Sequence, residues 1–164
     1  MSETMVNVLL QNWDYAMEQE DWAPPLKDAL AGVDDVQALW KPEGKAANSI
    51  WETVNHLLYY KERLLRKFKG LPQLSSAENN DDTFTVAESG PDAWAKAVQH
   101  LREVHAELRA EIAKFGGGVF IREGERHAPG EEIMSLVLHD AYHTGQIVLV
   151  RKLQGSWPAQ RHFG

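Results

Sequence analysis

The sequence contains no cysteine. Disulfides, thiolate metal ligands, redox pairs and a nucleophilic cysteine are therefore excluded, and any thiol chemistry here must use a thiol from elsewhere. No apolar run approaches the roughly 18 residues of a membrane span. The start, Met1-Ser2-Glu3-Thr4, lacks the basic and apolar segments of a secretory signal, so the chain reads as a soluble cytoplasmic protein with no membrane partner. Positive charge is scarce: Lys and Arg number 17 against 24 Asp and Glu, a formal net charge of −7. The densest basic stretch, Lys61-Glu62-Arg63-Leu64-Leu65-Arg66-Lys67-Phe68-Lys69, falls near a helix end, where cations complement the dipole. That placement accounts for it, and no nucleic-acid footprint is expected. Glu-x-x-His is also missing, whereas carboxylate di-iron bundles need two copies of it.

What is present fits one domain over residues 1–164, long and apolar enough to close a core without staples. Val6, Leu9, Leu10, Trp13, Ala16 and Met17 recur with a helical period and predict a first helix over 3–20. Pro24-Pro25 opens a second piece through Leu30, and Asp34 caps a short turn ending near Trp40. Ser49 with Glu52 fits a capping box, and an apolar stripe from Ile50 to Phe68 predicts a helix over 49–69, stopped by Gly70. Residues 71–90, rich in Ser, Asn and Asp, read as a long surface connection. A third long helix starts at Gly90-Pro91-Asp92 and runs along Trp94, Val98, Leu101, His105, Leu108 and Ile112 to the glycines at 116–118. A small hairpin around Gly124 precedes a last helix over 131–154. The fold class is all-α: a four-helix bundle whose long connections permit crossovers.

The chemistry-bearing feature is His139 and His143, four residues apart in Leu136-Val137-Leu138-His139-Asp140-Ala141-Tyr142-His143-Thr144-Gly145-Gln146-Ile147. At about 100° per residue the two rings are separated by roughly 40° and share one helix face. Apolar residues cover most of the remaining circumference, which predicts a helix packed on several sides. Two imidazoles there cost free energy unless something binds their nitrogens, and a divalent metal does so. Histidines that are hydrogen-bonded in the core, or that lie at the mouth of a groove, are the plain alternative. A third ligand from another helix decides between them, because zinc-type sites that do chemistry take three protein ligands and leave a position open. A helical wheel puts His56 roughly 145° from the centre of its helix's apolar stripe, on the solvent side. His105 lies on the core stripe of its own helix, and His127 and His162 fall in loop and tail.

The segment His139 to Ile147, with Asn55-His56-Leu57, the Trp40-Lys41-Pro42 turn and the Gly155-Ser156-Trp157-Pro158 tail, resembles the DinB-like (DinB/YfiT) superfamily of bacterial metal-binding bundles over almost the whole chain. The resemblance implies a four-helix bundle with a crossed-over connection. It also implies a divalent ion (nickel, zinc, iron or manganese) held by His56, His139 and His143, with His56 facing an open groove. Some relatives use low-molecular-weight thiols such as bacillithiol or mycothiol in S-transfer, and a homodimer is expected from the family and the apolar first helix. Three neutral imidazoles leave the metal charge uncompensated, which serves thiol transfer and hydrolysis alike. A non-catalytic metal- or small-molecule-binding bundle is the reading from another class. Glu52, one turn before His56, is a candidate to orient it or act as a base, although the capping box also explains it. Gln146 is a candidate for substrate contact, Asp140 for a hydrogen bond elsewhere in the bundle, and Arg63 and Arg151 for attracting a carboxylate or standing as solvated charges.

Overall fold

A computed structural model describes residues 2–44, 46–74 and 77–159. Its helices are α1 (Ser2–Met17), α2 (Leu26–Leu30), α3 (Asp35–Leu39), α4 (Ile50–Phe68), α5 (Pro91–Ile112) and α6 (Pro129–Leu153), with a 3-10 turn at Asp81–Phe84. Among the described residues there is no strand, and no helix is long and apolar enough to cross a membrane.

Helix limits follow local chemistry. The Ser49 hydroxyl accepts from the Glu52 N–H at 3.1 Å while the Glu52 carboxylate accepts from the Ser49 N–H at 2.7 Å, closing the expected capping box of α4. Asp34 and Gln37 form a second box at α3. α1 stops three residues earlier than its apolar period predicts, because Glu18, Glu20 and Asp21 set negative charge against the negative end of the helix dipole. α6 starts two residues earlier than expected: Pro129 takes the first helical position and the Glu131 carboxylate accepts from the Ala128 N–H at 2.8 Å. The hairpin expected around Gly124 is absent, since two short strands would have no sheet to join. Instead Val119 is buried and its carbonyl accepts from the Gly130 N–H at 2.8 Å. A Cβ at Gly130 would lie 2.6 Å from the Phe120 ring, so any larger residue there must push that ring aside.

The four long helices form a ring in which α1 packs on α5 and α6, and α4 packs on the same two. Cross-links at His56–His139, Lys61–Asp140 and Lys67–Glu132 run α4 and α6 antiparallel. Those at Glu62–His100 and Lys69–Glu107 run α4 and α5 parallel. A parallel neighbour requires the chain to return along the bundle, which is the task of residues 69–90.

That return is not the plain surface connection its composition suggests. Asn79 and Asp82 side chains accept backbone N–H groups from residues 78–82, building the 3-10 turn from local Asx contacts. Asn55 donates to the Thr85 carbonyl at 2.8 Å and the Tyr60 hydroxyl to Asn80 Oδ1 at 2.9 Å, so the turn is fastened to the polar side of α4.

The core separates into two apolar clusters. One gathers Leu9, Trp13, Leu64, Leu108, Ile133 and neighbours; the other gathers Met17, Leu26, Ile50, Trp51, Leu57, Leu101 and Ile147. On α4 and α6, buried Lys61 and Asp140 fall between members of the two clusters, and on α5 buried His105 follows Val104 just past the same boundary. α6 is not enclosed on several sides as its apolar circumference predicts. Leu138 and Tyr142 are 65% and 64% exposed, and Leu149 and Leu153 also face outward.

Candidate metal centre

The fastening of the 3-10 turn explains the fate of His56. A wheel of α4 alone assigns it to solvent, yet it is only 3% exposed. The cover comes from outside the helix: the Phe84 ring stacks on it at 4.0 Å between centroids, and Thr83 hydrogen-bonds its Nδ1 at 2.6 Å. Across the antiparallel pair, α6 brings His139 and His143 to the same place. His56 Nε2 and His139 Nε2 are 2.9 Å apart, and one ligand atom from each of His56, His139 and His143 lies within 4.8 Å of the others.

The proton positions follow from the hydrogen bonds. The Thr83 hydroxyl gives its one hydrogen to the Asn80 carbonyl at 2.6 Å, so toward His56 it can only accept. His56 therefore carries its proton on Nδ1 and keeps a lone pair on Nε2. The same logic acts on His143, whose Nδ1 donates to Gln146 Oε1 at 2.6 Å while the Gln146 amide donates to the Tyr142 hydroxyl at 3.1 Å. Each anchor orients a ring and fixes its tautomer, the usual service of a group behind a metal-ligating histidine. His139 Nδ1 is buried and has no hydrogen-bond partner among the described residues.

Burial holds all three rings neutral. It pushes His56 down to about 4, aided by the neighbouring His143 and His139. It pushes His139 to about 4 as well, aided by His143 and Lys61. His143 is lowered by burial against a raising effect of Gln146. At neutral pH the site thus presents lone pairs and no positive charge of its own, the donor set a divalent ion takes.

The trio lies at one side of a cavity of about 1150 Å³ between α4, α6 and the 3-10 turn, whose lining includes Tyr60, Arg63, Phe84, Tyr142 and Gln146. Gln146 is thus both a wall of the cavity and the anchor of His143. Glu52 is not among the lining residues; its carboxylate serves the capping box and pairs with Lys41 at 2.6 Å. His105 stands apart from this group. It stacks on Trp13 at 4.4 Å and its Nδ1 lies 3.1 Å from Lys61 Nζ. His127 also lines the cavity and lies 3.8 Å from Glu131, while His162 is outside the described residues.

The family model described as the DinB superfamily matches residues 24–147, well over half of the chain and all three histidines. The chain belongs to the DinB superfamily. Comparison with curated proteins and with solved structures finds no match. Membership in the DinB superfamily agrees with the all-helical architecture and with a metal-competent trio of histidines.

Two features of this DinB-superfamily chain escaped sequence reasoning. Thr83 and Phe84 lie in a stretch without period; the signal available was Asn79-Asn80-Asp81-Asp82, a run of Asx-turn formers that folds locally before a Thr and a Phe. Lys61 lies in the basic run attributed to the helix end. That account holds for Arg66 and Lys67, but Lys61 is fully buried and donates to Asp140 Oδ2 at 2.5 Å. Arg151 is neither a solvated charge nor a substrate contact. It is buried, donates to the Asp28 and Ala29 carbonyls that end α2 and to the Ser156 carbonyl, and sits over the Trp157 ring. It clasps the tail motif to the bundle.

Proposed function

We propose that His56, His139 and His143 hold one divalent ion and that the protein uses it to activate a low-molecular-weight thiol for transfer to an electrophile. The observation that carries this reading is the convergence of imidazole lone pairs, with Nδ1 of His56 and of His143 tied to Thr83 and Gln146, on the wall of a cavity large enough for an organic ligand. A divalent ion bound there supplies uncompensated positive charge, which lowers the pKa of a thiol or water beside it.

The remaining work belongs to the chain. Thr83 and Gln146 hold the imidazoles in the tautomer and direction that a ligand needs. Phe84 and Tyr60 pack against His56 and exclude water from its ring, and Tyr142 packs on His143 at the open side. No cysteine exists in the chain to fill a fourth position. In the transfer itself, sulfur attacks an electrophilic carbon, a carbon–sulfur bond forms, the leaving group departs with its electron pair, and the thiol proton passes to solvent. Imidazole donors suit nickel, zinc, iron and manganese, so availability selects among them. A metal-dependent hydrolase would use water in the same place; the size of the cavity and its aromatic wall favour an organic cosubstrate.

The test is a panel of small thiols with a halogenated aromatic acceptor, followed by halide release, in metal-loaded and chelator-treated protein. Metal-dependent thioether formation is expected, lost in His143→Ala. Stoichiometric metal with no turnover for any thiol would favour the non-catalytic binding reading.

A further inference from the structure

We infer that the ligand of this cavity carries a carboxylate, and that Arg63 receives it while the ligand's sulfur lies at the histidines. The inference rests on the metal-centre reading above and adds to it the ligand's second functional group.

The charges of the cavity lining single out Arg63. Lys67 is paired with Glu132 at 2.9 Å and with Glu125 at 3.5 Å, and His127 has Glu131 at 3.8 Å. Arg63 meets no carboxylate among the described residues. Its guanidinium donates to the Tyr59 hydroxyl at 3.3 Å and lies 5.7 Å from the centroid of the same ring, both neutral contacts. In a chain where acidic residues outnumber Lys and Arg by 24 to 17, a cation left without an anion at a cavity wall is suited to one from outside. Tyr59 steadies the planar fork, which suits two parallel hydrogen bonds to a carboxylate better than a single contact to a hydroxyl.

The placement sets the ligand's length. Arg63 follows His56 by seven residues on α4, which at 1.5 Å per residue is a rise of about 10 Å, and two helical turns return it to within about 20° of the same face. Tyr60, between them, also lines the cavity, so His56, Tyr60 and Arg63 form one wall. A thiol whose sulfur and carboxylate are separated by several bonds spans that wall; a two-carbon mercaptoacid does not. Asp81, on the 3-10 turn, is the other lining charge without an ion partner among the described residues, and it is not paired with Arg63. It opposes an anion, so removing it and removing Arg63 should act in opposite directions.

The experiment uses the full chain loaded with cobalt(II), titrated with ω-mercaptoalkanoates of graded length and with the matching ω-mercaptoalkanols. Sulfur-to-cobalt absorption reports binding. The acid of matched length should bind about tenfold tighter than its alcohol, the scale of one charge-assisted contact. Arg63→Gln should erase that preference without changing alcohol affinity, Arg63→Lys should keep part of it, and Asp81→Asn should enlarge it. Equal affinity for acid and alcohol, or a preference that survives Arg63→Gln, overturns the role of Arg63 and leaves the thiol reading standing. Cobalt bound but blind to every thiol overturns both.

Discussion

Two polar clusters sit side by side on the same helices, and burial has opposite uses in them. At the cavity, His56, His139 and His143 are neutral imidazoles with no ion partner among the described residues; Thr83 and Gln146 anchor His56 and His143 from behind, and of the buried ring nitrogens Nδ1 of His139 alone is left without a hydrogen bond. In the sealed layer, Lys61 and Asp140 are both 0% exposed and answer each other, with Lys61 also over the Trp13 ring at 4.4 Å and beside His105 Nδ1. His139 and Asp140 are sequence neighbours, so one step along α6 separates a group prepared for a visitor from a group closed to any. Burial drives the Lys61 pKa down and that of Asp140 up, and each opposes the other's shift by attraction and a hydrogen bond. The lesson is that a buried polar residue in a bundle is read by its partners: complementary charge closes a site, and like neutral donors leave one open.

The sharpest way to break this comparison is to remove half of the sealed pair. Asp140→Ala should cost about 3 to 5 kcal/mol in denaturant unfolding, because Lys61 is left as an uncompensated buried charge. The double variant Lys61→Met with Asp140→Leu should recover most of that loss, since an apolar pair of similar volume removes both desolvation costs. If the double variant is as unstable as the single, the pair does more than neutralise itself.

At the open cluster the expected effect falls on metal before it falls on the fold. Chelation should leave the helical signal in place at 25 °C, because the two apolar clusters are built from hydrophobic side chains and include none of the three histidines. Restoring metal at one hundred times its dissociation constant should add about 2.7 kcal/mol by mass action. Smaller still, Gln146→Leu and Thr83→Val should each weaken metal about 10- to 100-fold by freeing a ligand ring, with little change in apo stability.

Acid acts on both clusters with the same sign, and metal separates them. His56 and His139 have folded values near 4, below the ordinary 6.5, so the unfolded chain binds more protons between those limits. Stability of the metal-free protein should therefore be complete above about pH 6.5 and decline as pH falls toward 4. His105, lowered chiefly by burial and by Lys61, adds loss of the same sign. Saturating metal should move the onset of acid unfolding downward in wild type, since protons must then compete with the ion, and should not move it in His143→Ala.

How much of this was legible in the sequence depends on which contacts are local. α4 was readable because its cap is written within four residues, and the His139–His143 pair because helical periodicity is local too. His56 was readable as a candidate ligand only by resemblance: the wheel saw its own helix, whereas the cover arrives from Thr83, 27 residues away. Lys61 and Asp140, 79 residues apart, gave no local sign of each other. Arg151 reads as surface charge until the Ala29 carbonyl near the end of α2, 122 residues earlier, comes to meet it.

The most direct test of the central claim is metal content per chain, by elemental analysis of protein purified without chelator, in wild type and in His56→Ala, His139→Ala and His143→Ala. Close to one divalent ion per wild-type chain is predicted, with loss of stoichiometric metal in each variant and helicity retained. Full metal in all three variants, or none in a wild type offered nickel, zinc, iron and manganese, would contradict it.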